Sequence, residues 1–141
     1  MSIELKVKKH HPNAKLPSKA YMHDAGLDVY SCETKKVFPK QMSEIDIGIS
    51  IELPPGYYIT FEGRSGLRKE GILLPTAVID SGFRGRLSIL LYSVSEYTRT
   101  IYIGDKVGQM LIHKTPGVQV IEVDELTKSK RGEKGFGSSG R

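Results

Sequence analysis

Between Glu44 and Leu53 the chain reads EIDIGISIEL, and every second position is apolar: Ile45, Ile47, Ile49, Ile51 and Leu53. A period of two puts all five on one face, the pattern of a strand half-buried against a core. IELKV repeats it with Ile3, Leu5 and Val7. The same reasoning predicts strands in YYITFE at 57 to 62, ILL at 72 to 74, AVI at 77 to 79, RLSILLYSV at 86 to 94, TIYI at 100 to 103 and VQVIEV at 118 to 123. Turn chemistry separates them in LPPGY, DSGFRG and KTPG, while RSGLRKE at 64 to 70 is the one segment suited to a helical turn. Short one-sided strands must bury their apolar faces on another sheet, so the pattern predicts an all-β sandwich or barrel. The ordered core is expected to end near Leu126, giving a domain of residues 1–126 and an arm of residues 127–141.

That arm ends RGEKGFGSSGR, where glycine is too dense to hold a helix or strand. A plain solubilising tail has no use for the aromatic ring of Phe136, so the segment reads as one that orders itself on a flat, anionic partner. Charge agrees. The formal net charge is +5, and much of the excess lies in this tail, where Lys128, Lys130, Arg131, Lys134 and Arg141 face only Glu133. Nucleic acid, nucleotide and membrane surface all fit that bias. A length of 141 residues, with 38% hydrophobic and 26% charged positions, suits one soluble domain. The single cysteine, Cys32, excludes an internal disulfide framework and makes a cytoplasmic address the expectation. The amino terminus alternates charged and apolar residues where a signal peptide needs an unbroken apolar run, and no stretch has membrane-spanning length.

Five stretches interrupt the strand rhythm with residues a barrel does not need: DAGLDVYS, GRSGL, AVIDSGFRGR, GDKVGQM and the arm. In GRSGL, Arg64 offers a planar fork for phosphate oxygens, Ser65 a hydroxyl, and Gly66 a backbone that a ligand can approach closely. The same tripeptide also fits a serine-capped surface turn. Asp80 follows three apolar residues, Ala77, Val78 and Ile79, at the lip of a tight turn. There it could orient and deprotonate a water, or simply open the turn. Phe83 is an aromatic in a glycine-rich turn, placed to pack on a ligand or on a neighbouring loop. Asp28 points away from Leu27 and Val29, and beside a triphosphate it would suit Mg²⁺, which keeps much of its own water; a buried, turn-bonded aspartate is the other reading. Gln109 is a neutral donor and acceptor. The four histidines share no zinc-ligand spacing.

Taken in order, these five stretches resemble the motifs of the homotrimeric dUTP diphosphatases, the dUTPases, over residues 24 to 140. The resemblance implies a dUTPase-like β-jelly-roll barrel of β-clip type and three active sites shared between subunits, with the arm of one closing over a site built by its neighbours. It implies hydrolysis of dUTP to dUMP and pyrophosphate with Mg²⁺, which limits uracil in DNA and supplies dUMP for thymidylate synthesis. Carried over by position, Asp28 would support the metal through water, and Arg64, Ser65, Gly66 and Gln109 would hold the phosphate chain. Asp80 would activate the attacking water. Ala77, Val78, Ile79 and Asp80, with Ser88, would read uracil, and Phe83 would stack under the deoxyribose. From the arm, Arg131, Ser138 and Ser139 would bind phosphate oxygens while Phe136 and Gly137 cover the base. Departures from the family pattern are Phe83 in place of a common tyrosine, the LLPTA loop, Arg86, Glu133 and Lys134.

Two rivals are separable. The dCTP deaminases share this fold and an Arg-Ser motif but use a glutamate where this chain has Leu90. A nucleic-acid-binding β-barrel would explain the basic arm and leaves Asp28 and Asp80 without a purpose. The expected partners are therefore dUTP and two further copies of the chain, with no membrane and no stable nucleic-acid complex.

Overall fold

The computed structural model describes residues 2–137, 139 and 140. Its elements run β1 (Lys6–Lys9), β2 (Leu27–Tyr30), β3 (Lys35–Val37), β4 (Met42–Asp46), β5 (Ile49–Glu52), β6 (Tyr57–Glu62), α1 (Ser65–Lys69), β7 (Ile72–Leu73), β8 (Ala77–Asp80), β9 (Ser88–Ser93), β10 (Arg99–Ile101) and β11 (Lys106–Lys114). Among the described residues the strands form four small sheets, ordered β1-β5, β10-β3, β2-β11-β6-β8 and β4-β9-β7, and the strand pairings are antiparallel.

The alternating run from 44 to 53 makes two strands rather than the one its period suggests. Gly48 sits at φ +67°, a left-handed conformation that breaks the pleat and that side chains resist. The Asp46 carboxylate accepts a hydrogen bond from the Gly48 N–H at 2.8 Å and so fixes the corner. β4 then pairs with β9 and β5 with β1, yet Ile45, Ile47, Ile49, Ile51 and Leu53 all stay buried. One face is kept while the chain changes sheets.

Those residues join Val29, Val37, Ile59, Phe61, Ile89, Leu91, Ile101, Val107 and Met110 in one core between the sheets. Each such side chain contributes about 1.5–3 kcal/mol on leaving water, so the core rather than any local propensity holds these short strands in place. The expected strand at 118 to 123 does not form. β11 ends at Lys114, the chain turns away through Pro116 and Gly117, and Val118, Val120 and Ile121 stand 77%, 90% and 67% exposed. An alternating segment with no sheet edge to join gains nothing by extending a ladder. β11 itself is the longest strand among the described residues and was unexpected from its mixed sequence KVGQMLIHK.

Candidate active site

The four-stranded sheet presents several of the candidate residues on the face turned away from the core. Its inner face presents Val29, Ile59, Phe61 and Met110 to the core. Antiparallel register then puts the alternate residues together on the other side: Asp28 with Gln109 and Glu62, Thr60 with Leu111 and Val78, and Tyr58 with His113 and Asp80.

At one end of this face, β6 runs out at Glu62 and the chain turns through Gly63 into α1. Arg64 is the residue before the helix, in an extended conformation, and no side chain caps it. The serine-capped turn that the sequence allowed is thus not what forms; Ser65 begins the helix, and nothing lies within 4 Å of where a Gly66 side chain would start. Gln109 Nε2 donates to the Gly63 carbonyl at 3.1 Å and ties β11 to this turn. Gly26 makes that reach possible, since a Cβ there would meet Gln109 Oε1 at 2.7 Å.

Asp28 lies between two cations. Its Oδ1 is 3.7 Å from Arg64 Nε and its Oδ2 is 3.4 Å from Lys106 Nζ. Lys106 was not expected here, because residues 106 and 109 differ by an odd number and should face opposite sides of a regular strand. A β-bulge corrects the parity: Gln109 stands opposite Asp28 and Gly108 opposite Val29, but Lys106 stands opposite Tyr30. Val107 and Gly108 are both buried as a result, and Lys106 is re-aimed to the Asp28 side. Gly108 is needed at this close approach, where a Cβ would sit 2.8 Å from Leu74 Cδ1 and 3.3 Å from the Glu62 carbonyl. Glycine inside a strand was the one sequence signal that could have announced the bulge.

At the other end stand Asp80 and Tyr58. Tyr58 stacks on His113, with ring centroids 4.8 Å apart, and His113 Nε2 is hydrogen-bonded to Thr60 Oγ1 at 2.7 Å. Asp80 is exposed at the end of β8, and its carbonyl accepts from the Phe83 N–H at 3.1 Å, which closes the turn. The Phe83 ring lies over Gly85 so closely that a Cβ on Gly85 would come within 2.3 Å of it. Ala77 and Ser88 line a common cavity of about 300 Å³ with Phe61, Leu74 and Pro75. Ser88 also donates to Glu44 Oε1 at 2.7 Å.

Arg86 has a structural partner. Its guanidinium donates two hydrogen bonds to Asp46, Nε to Oδ1 at 3.1 Å and Nη2 to Oδ2. Burial pushes the Asp46 carboxyl up, but the bonds from Arg86 and the Gly48 N–H outweigh it and hold the group below its ordinary value. Cys32 is buried beside this pair, and desolvation together with the Asp46 charge pushes its thiol up.

The sequence-predicted residues thus fall into three groups. Asp28, Arg64, Ser65, Gly66 and Gln109 gather at one end of the face. Ala77 to Asp80 and Phe83 lie on and after β8, with Asp80 at the far end. The arm is apart from both. Arg131 donates to its own Lys134 and Gly135 carbonyls, at 2.7 and 3.2 Å, and Phe136, Gly137 and Ser139 are exposed. Ser138 lies outside the described residues.

Among the described residues no three His, Cys, Asp or Glu side chains converge on a metal site. That donor set fits Mg²⁺ in one way. The single carboxylate of Asp28 suits a hydrated ion that takes few protein ligands, and the two cations beside it suit the phosphate oxygens with which such an ion arrives.

A family model described as dUTPase matches residues 12–140. The deoxyuridine 5'-triphosphate nucleotidohydrolase of Clostridium tetani is 40% identical over 97% of this chain and 97% of its own. Among solved structures, the Staphylococcus bacteriophage 80alpha dUTPase with dUPNHPP is 28% identical, with a TM-score of 0.89 over 98% of this chain and 99% of that one. A dUTPase from phage phi11 of S. aureus, in which a structural Mg(II) ion is coordinated, is 24% identical, with a TM-score of 0.83 over 89% of this chain and 99% of that one. The barrel is accordingly of the dUTPase-like jelly-roll kind expected from the motifs.

Proposed function

This chain belongs to the dUTPase family and is a dUTP diphosphatase, and we propose that its active site is assembled from three copies, one bringing the phosphate end of the sheet face and another bringing Asp80. The separation between those two ends carries the reading. From Asp28 to Asp80 is three strand spacings across and four residues of register along, about 20 Å at ordinary sheet dimensions. One nucleotide cannot place its α-phosphate at Asp80 and its phosphate chain on Arg64 across that gap. A closed, symmetric assembly in which each chain lends its two ends to different sites removes the difficulty.

In the assembled site, Arg64 holds phosphate oxygens with its planar fork, and Ser65, the Gly66 backbone and Gln109 add donors. Asp80 accepts a proton from the water it orients, and that water attacks the α-phosphorus in line as pyrophosphate leaves. Asp28 would hold Mg²⁺ through water, and the ion would supply neutralisation of the phosphate charge. The backbone of Ala77 to Ile79 and the strand at Ser88 read uracil by hydrogen-bond polarity, which turns away cytosine because its amino group meets a donor. The ring of Phe83 lies under the deoxyribose and leaves no room for a ribose hydroxyl.

Residues 127–141 act as the closing arm: Arg131, Ser138 and Ser139 on phosphate oxygens, Phe136 and Gly137 over the base. The exposure of Phe136 and the self-bonded Arg131 fit an arm whose partner surface lies on another chain. Ordering it costs conformational entropy, which bound nucleotide offsets, and its closure expels water from the reacting centre. Among the described residues no helix is long and apolar enough to cross a membrane. A reducing cytoplasm suits the lone buried thiol of Cys32.

Incubation with dUTP, dCTP, dTTP and UTP in Mg²⁺, with products resolved by chromatography, tests the reading. Conversion of dUTP to dUMP and pyrophosphate supports it. Release of ammonia from dCTP, or no turnover of any of the four, would overturn it.

A further inference from the structure

We propose that Asp28 is the resting counter-ion of the phosphate site, holding Arg64 and Lys106 in place until the phosphate chain takes both, and that Lys106 is itself a phosphate ligand. The inference rests on the dUTP reading above and adds a residue and an exchange of partners to it. Three observations carry it.

The first is geometric. The bulge between Lys106 and Gly108 turns Lys106 to the side of Asp28 that a regular strand would deny it, and Gly108 is the residue type that the bulge requires. A fold that merely wanted a solvated lysine could place it on either face.

The second is the quality of the contacts. Arg86 and Arg99 grip their carboxylates with donated hydrogen bonds, Arg99 Nε to Glu70 Oε2 at 2.6 Å. Arg64 and Lys106 stand off from Asp28 at 3.7 and 3.4 Å, each facing a different oxygen. Attraction at those distances holds the cations nearby while leaving donor capacity for a better acceptor.

The third is the space beside them. A cavity of about 350 Å³ is lined by Arg64, Gly66, Arg99 and Lys106 together with Glu70 and Asp105. Both acids are committed, Glu70 to Arg99 and Asp105 Oδ2 to the Tyr102 N–H at 2.8 Å. Among the described residues, Arg64 and Lys106 are the cations left facing the hollow, each paired with the shared Asp28. When phosphate oxygens displace that carboxylate, Asp28 becomes available to water around the metal.

Calorimetric titration with the non-hydrolysable analogue dUpNHpp tests the exchange, once in EDTA and once in Mg²⁺, on the full chain and on Lys106→Met, Lys106→Arg and Asp28→Asn. Lys106→Met is expected to lose about tenfold or more in affinity under both conditions, the scale of one charge-assisted hydrogen bond, while Lys106→Arg keeps most of it. Asp28→Asn is expected to bind the metal-free analogue more tightly than the unaltered chain, because the competing internal anion is gone, and to lose the gain that Mg²⁺ brings. Thermal melts of each variant separate these effects from misfolding. Unchanged binding by a folded Lys106→Met, or weaker metal-free binding by Asp28→Asn, overturns the proposal. Failure of the unaltered chain to bind the analogue at all would instead bring down the substrate reading, and this inference with it.

Discussion

Asp28 and Asp80 face the same side of one four-stranded sheet, three strands apart and four residues out of register. Arg64 and Gln109, the proposed phosphate holders, stand with the first, and the proposed base is Asp80 itself, opposite Tyr58 at the far end. On the proposed reading a single chain holds two half-sites.

Asp80→Asn keeps the shape of the side chain and removes its basicity. It should lower kcat by about 10² to 10⁴-fold, the usual worth of a positioned base, while dUpNHpp affinity stays near that of the unaltered chain. Steady-state kinetics beside calorimetry reads both, and a loss of binding equal to the loss of rate would assign Asp80 to holding substrate.

Truncation after Lys130 should cripple turnover and leave the melting temperature unchanged. The removed residues that the structure describes are exposed, and β11, the last strand among the described residues, ends well before them. A melting temperature lowered by more than a few degrees would mean that the arm stabilises the barrel.

Gly26→Ala should act on substrate binding rather than on stability. The new methyl would lie 2.7 Å from Gln109 Oε1 and 3.2 Å from Gln109 Cβ and Leu111 Cδ1, so the flexible amide end rotates off Gly63 while the other two give by a few tenths of an ångström. KM for dUTP should rise with little change in melting temperature; an unaltered KM would remove Gln109 from the phosphate site.

Acid sensitivity should trace in part to Asp46. Its carboxyl is held below the ordinary value in the folded chain, so the unfolded chain binds more protons around pH 4, and stability rises with pH through that range. The Asp46 contribution is whole above the ordinary carboxylate value and is lost as pH falls through the lower folded one. Arg86→Met should flatten this part of the stability profile. A variant profile parallel to that of the unaltered chain below pH 5 would dismiss the pair.

Much of this was legible in the sequence, for physical reasons. Strand β6 formed over the residues expected of it because it has a neighbour on each side in the same sheet, with Ile59 and Phe61 in the core, although Thr60 on the other face is buried too. The isoleucine run was read correctly as to which residues are buried and wrongly as to how many strands bury them, because periodicity reports a face and says nothing of a corner at Gly48. The segment 118 to 123 carries the opposite lesson: alternation records fitness to pair, and pairing needs an edge that this chain does not supply to itself. At the candidate site, residue type singled out Asp28, Arg64 and Asp80, while Gln109 entered only through the family resemblance. Lys106 stayed hidden behind its parity until the bulge appeared.

Subunit complementation tests the shared site most directly. Asp80→Asn and Arg64→Ala are each expected to be nearly inactive alone, and the two are co-expressed or refolded together at equal amounts so that mixed assemblies form. With each site drawing Asp80 and Arg64 from different chains, random mixing leaves about a quarter of the sites with both residues intact, and dUTP hydrolysis should return to about a quarter of the unaltered rate. Activity that stays at the level of the separate variants, in assemblies shown to be mixed, would contradict the account.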